Sequence, residues 1–150
     1  MTITDDVTAF LTGGGAKSAK FENVGDAVLG TIVAAKTAQQ TDLSGVPKTW
    51  DNGDPMMQLV ITLQTETRED GDDDGKRNLY VKGSKKDPHT SAGALIVALR
   101  AAGASTIEVG GRLGVQFTGL GTPSKAGLSA PKQYSMRYVA PDANAVAGFL

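Results

Sequence analysis

The chain has 150 residues, 15 basic and 16 acidic, for a formal charge of −1, with abundant glycine and few aromatics. That length suits one domain with a hydrophobic core, and the absence of cysteine excludes a disulfide framework and a thiolate metal site. No apolar run approaches the ~18 residues of a membrane helix, and Met1 to Thr12 lacks the basic start and apolar centre of a signal peptide, so a cytoplasmic, soluble protein is expected.

Met1 to Lys20 is read as a flexible N-terminal arm, because Gly13-Gly14-Gly15 and the small residues after it support neither helix nor strand. A first strand is predicted over Phe21 to Lys36, where Val, Leu and Ile are dense and Gly25 and Gly30 permit a bend or bulge. Thr37 to Pro55 is a long polar connection carrying the one tryptophan, Trp50. The second strand, Met56 to Thr67, alternates with Met57, Leu59, Ile61 and Leu63 inward and Gln58, Thr62 and Gln64 outward. Glu66 to Asp74 then holds six carboxylates and Arg68, and reads as a solvated, mobile loop closing a hairpin to the strand Lys76 to Lys82. A helix is predicted over Ser91 to Ala102. Leu95, Ile96 and Leu99 make its apolar stripe, Thr90 or Ser91 caps its start, and Gly103 suits its end. A strand from Arg112 to Thr118 puts Leu113, Val115 and Phe117 on one face. Gly119 to Pro131 is a second long loop, Lys132 to Val139 the last strand, and 142–150 a short tail.

The strand Lys76 to Lys82 carries the most functional information. Period-two alternation puts Lys76, Asn78, Tyr80 and Lys82 on one face, and Leu79 and Val81 on the other together with Arg77, the one misfit. Ammonium groups neutralise phosphates and a flat ring stacks on any base, although an ordinary solvated strand face would read the same way. Between Gly75 and Tyr138 ten basic residues face only Asp87 and Glu108, a local balance of +8 that the whole-chain charge conceals.

The remaining motifs are weaker. His89, the one histidine, lies in the turn-forming stretch Lys85-Lys86-Asp87-Pro88-His89-Thr90 and reads as a surface residue. Asp70 to Gly75 opens like a calcium loop, but Val81 stands where the twelfth position needs glutamate and no helix pair flanks it. Gly14 to Ser18 is like the end of a phosphate-binding loop, with Ala16 in the wrong place and no strand before it. No pair of carboxylates converges for acid–base work, so no catalytic residue, metal or cofactor is assigned. Trp50, among turn formers, either covers a barrel mouth or stacks on a base. Tyr134 and Tyr138 share one face of the last strand. Tyr138 is expected in the core and Tyr134 in contact with ligand.

Five strands with a helix between the third and fourth is the order of the OB-fold. That all-β barrel binds oligonucleotides or oligosaccharides on its second and third strands and on the two loops that are long here. Val24-Gly25-Asp26-Ala27-Val28-Leu29-Gly30, Lys48 to Pro55 and Ala130-Pro131-Lys132-Gln133-Tyr134 give the chain, from Phe21 to Pro141, a phrasing that resembles the small single-stranded DNA-binding proteins of actinobacterial phages. The resemblance implies an OB-fold domain over 21–141, sequence-tolerant binding of single-stranded DNA in phage replication or recombination, no catalysis, and a host-cell cytoplasmic location. Phage or host replication proteins, and further copies of the chain, are the other partners it leaves open. The acidic, aromatic-ended tail of many such proteins is missing from Pro141 to Leu150, which has one carboxylate. On this reading Lys76, Lys82, Lys85, Lys86, Lys125 and Lys132 track phosphates and Trp50, Tyr80 and Tyr134 stack on bases, with Arg77, Arg112 and Arg137 in reserve. The alternative is a small phage structural or assembly protein that uses a β-barrel as a building block.

Overall fold

A computed structural model describes residues 16–123, 126–127 and 129–141. The fold is mostly β with a single helix: β1 (Lys17–Ser18), β2 (Ala27–Gln39), β3 (Met57–Gln64), β4 (Lys76–Val81), α1 (Ser91–Ala101), β5 (Arg112–Leu120) and β6 (Lys132–Val139). These strands form one mixed sheet in the order β1-β4-β3-β2-β5-β6. It therefore has six strands rather than the expected five, and it is not closed by pairing of β4 with β6. The extra strand comes from the stretch read as a loose arm, since Lys17 and Ser18 pair in parallel with Arg77 and Asn78 on the outer edge of β4. Beyond β1 the chain continues to β6, where the Phe21 ring meets Tyr134 edge-on at 5.4 Å and the Phe21 carbonyl accepts from the Lys132 ammonium. Residues 1–15 and the tail 142–150 lie outside the described residues.

Inward positions follow the alternation of the sequence. Ile61 and Leu63 of β3, Leu79 and Val81 of β4, and Leu113, Val115 and Phe117 of β5 are buried against one another. The long first strand departs from its prediction in two ways. It begins at Ala27, because Asp26 accepts from the backbone N–H groups of Glu22 and Asn23 at 3.0 and 2.9 Å and folds that segment into a turn. Its irregularity falls between Ile32 and Ala34 rather than at a glycine. Gly30 serves another purpose, because a Cβ there would stand 2.7 Å from the Gln64 carbonyl oxygen of β3. At their far ends β2 and β3 outrun the core, which leaves Met57 exposed rather than inward.

Helix α1 lies against β6 and β4, over the part of the sheet where those strands do not pair. The Thr90 hydroxyl caps it by accepting from Gly93 N–H at 2.9 Å. Its C-terminus closes with Gly103 N–H to Arg100 O and Ala104 N–H to Leu99 O, and Gly103 takes the positive φ this motif requires. Ala94, Leu95, Ala98 and Leu99 form its buried face, so two alanines complete the stripe and Ile96 is only half-buried.

Candidate nucleic-acid interface

The outward face of β2, β3 and β4 is built by cross-strand register. Lys36, Val60 and Tyr80 form one row, and Ala34, Thr62 and Asn78 form the next. The Thr62 hydroxyl donates to the Asn78 side-chain oxygen at 2.7 Å, which fixes the amide at the centre of the face. Tyr80 is 41% exposed beside buried Val60, and its hydroxyl makes no hydrogen bond within the described residues. Lys76 at the start of β4 and Lys82 just past its end are exposed and enter no ion pair among the described residues. An apolar-backed ring between two unpaired ammonium groups is an arrangement suited to a base with its flanking phosphates.

On the other side of β4 Arg77 is 5% exposed. It grips Asp73 through two parallel bonds of 2.9 and 2.6 Å. Asp73 also accepts from the backbone N–H groups of Glu69 and Gly75, both at 2.8 Å. The Arg77 guanidinium, followed by those two N–H groups, holds the Asp73 carboxyl well below the usual carboxylate range, and Asp73 in turn raises the Arg77 value. The acidic segment is solvated as expected, with 66–72 and 74 exposed, but it is pinned as a turn through Asp73. Its Glu69 pairs with Lys17 at 3.0 Å and Lys20 at 3.6 Å, which draws β1 onto the sheet edge.

The 40–56 connection is also ordered. Lys48 N–H donates to Gln40 O at 2.8 Å and Met56 N–H to Lys48 O at 3.0 Å, so the segment folds into a small zigzag with turns at Asp42–Val46 and Trp50–Asp54. All of residues 41–55 are exposed. Trp50, 58% exposed, is not part of the core, so the barrel-mouth reading of this indole fails.

Other anticipated residues have different surroundings. Lys85 and Lys86 are exposed between β4 and α1, where Thr90 Oγ1 donates to Ser84 O at 2.7 Å. Lys132 is exposed, but its ammonium is tied to the Phe21 carbonyl and sits 5.4 Å from the Phe117 ring centroid, which gives it a structural contact. Tyr134, expected to be free for ligand, is half-buried between Phe21 and Phe117, and burial raises its phenol pKa. Tyr138 is in the core as expected, where its hydroxyl accepts from Glu108 N–H at 3.1 Å. Lys125 lies outside the described residues. His89 is exposed, and its carbonyl accepts from Tyr134 N–H at 2.8 Å.

Sequence reasoning passed over Lys36. Strict alternation would have put it on the Ile32 side, and the register shift between Ile32 and Ala34 turns it outward next to Val60. Among the described residues no three His, Asp or Glu side chains are grouped to hold a metal ion, and no helix is long and apolar enough to cross a membrane. No protein-family model, curated protein or solved structure matches this chain.

Proposed function

We propose that this protein binds single-stranded DNA without regard to sequence, through the outward face of β3 and β4, and that it performs no catalysis. One observation carries the reading: Lys76, Asn78 and Tyr80 share an outward face, with Lys82 exposed just past the end of β4, while Arg77, the basic residue that spoils the alternation, is sequestered by Asp73. Lys36, Lys85 and Lys86 extend the charge, and Trp50 offers a second exposed ring on the 40–56 connection. Tyr134 and Lys132, engaged with Phe21 and Phe117, leave the list of contacts.

The OB-fold is the architecture that fits this reading. From β4 to β6 the order β4-β3-β2-β5-β6, with α1 between β4 and β5, is that of an OB barrel opened at one seam. On this reading the N-terminal segment, with β1 paired to β4 and Phe21 against Tyr134 of β6, would lie at that seam. A role in phage DNA replication or recombination is what the family resemblance adds.

A Trp50 fluorescence titration with oligo-dT, oligo-rU and duplex DNA at two salt concentrations tests the proposal. Binding of oligo-dT in preference to duplex, weakening steeply with salt, is the expected result. Absence of binding at micromolar protein, or binding indifferent to salt, would sink it.

A further inference from the structure

We propose that a second face, the outward side of β2, β5 and β6, binds a further stretch of the same single strand, with Gly114 as the floor for a base and Arg112 and Arg137 as phosphate contacts. The inference rests on the single-strand reading above. Leu29, Gly114 and Arg137 form one outward row across the three strands, and Thr31, Arg112 and Val139 form the next. The missing side chain at Gly114 leaves a shallow depression of about 350 Å³ between Leu29, Gln116 and Arg137. Leu29 is 59% exposed at its wall. An exposed aliphatic chain beside bare backbone offers a flat apolar surface, and a guanidinium can both stack on a ring and grip a phosphate. Neither Arg112 nor Arg137 meets a carboxylate among the described residues.

Register also joins the two faces. Lys76 pairs with Gln64, Gln64 with Thr31, and Thr31 with Arg112, so one outward line crosses β4, β3, β2 and β5, with the Asp74 carboxylate, which accepts from Lys76 N–H at 2.9 Å, bounding it at the β4 end. At the usual strand spacing its ends lie about 14 Å apart, a gap that a few nucleotides cover. Charge complementarity along this line favours one continuous polynucleotide over a separate ligand for each face.

The test compares oligo-dT of about 5 and about 16 nucleotides, the span of site sizes for a single OB-type domain, on the intact chain. Arg112→Ala with Arg137→Ala should weaken the long oligonucleotide about tenfold, lower its salt slope by about 1.4, and leave the short one unchanged. Gly114→Val offers a charge-neutral check. A Cβ there meets only Leu29 Cδ1 at 3.6 Å, an ordinary contact, and an unchanged unfolding midpoint for the variant shows that its methyl groups fill the groove without disturbing the fold. It should weaken the long oligonucleotide several-fold at an unchanged salt slope. Wild-type affinity for the long oligonucleotide in both variants, with Tyr80→Ala weakening both lengths, would overturn the second face and leave the first standing. If wild-type protein binds neither length, the single-strand reading fails and takes this inference with it. Poly-glutamate binding that the double arginine variant abolishes, with the long oligonucleotide unaffected, would assign the face to an acidic protein and overturn the proposal.

Discussion

Arg77 and Lys76 are adjacent in β4, yet their charges are held in opposite ways. Arg77 points inward and is bidentate to Asp73, with the carboxylate's remaining capacity filled by backbone N–H groups. Lys76 points outward with Tyr80 and enters no ion pair among the described residues. The same contrast separates Lys132, spent on Phe21 and Phe117, from Lys85 and Lys86. In this chain the number of basic residues says little about a polyanion site. What matters is which cations the fold already holds in contacts of its own, and the two sides of β4 differ on that point.

The largest effect should come from the inward side. Arg77→Ala leaves Asp73 without its partner and should lower the urea unfolding midpoint more than any other change named here, while the folded fraction keeps its affinity for oligo-dT. Asp73→Asn probes the same pair through pH. Because Asp73 is held below the ordinary carboxylate value, its contribution is fully present above about pH 4 and is lost as pH falls below that. The wild-type melting temperature should therefore drop on acidification more steeply than that of Asp73→Asn. Parallel acid profiles would show that the pair does not hold the turn.

On the outward side the effects should move to binding. Tyr80→Ala should cost about 1–3 kcal/mol of oligo-dT affinity with little change in unfolding midpoint, and a loss of stability instead would make Tyr80 a packing residue. Lys76→Ala combined with Lys82→Ala should reduce the salt slope by about 1.4, as two phosphate contacts are removed. The smallest effect belongs to Lys132→Ala, which should cost about 1 kcal/mol of stability and leave the salt slope alone. A changed slope there would erase the distinction between spent and available cations.

The register of β4 was legible because strand parity is a local property, and it put Tyr80 out and Leu79 in without any tertiary information. The partner of Arg77 was not legible. Six carboxylates precede the strand, and only the turn geometry, with Asp73 accepting from Glu69 and Gly75 N–H, selects one of them. β1 was missed for a different reason: a two-residue parallel strand pairing 60 positions away has no periodicity to detect. Tyr134 shows where alternation runs out. Parity put it on the face of Tyr138, but its burial depends on Phe21 arriving from the far end of the chain. Lys36 escaped notice because one register shift reverses every side chain beyond it.

Side-chain and amide chemical-shift mapping with oligo-dT tests the central claim most directly. The account predicts the largest perturbations at Tyr80, Asn78 and Val60 on the outward face, with Trp50 following and the Arg77–Asp73 pair unmoved. Perturbations concentrated on α1, or on the inward pair while Tyr80 stays silent, would contradict it.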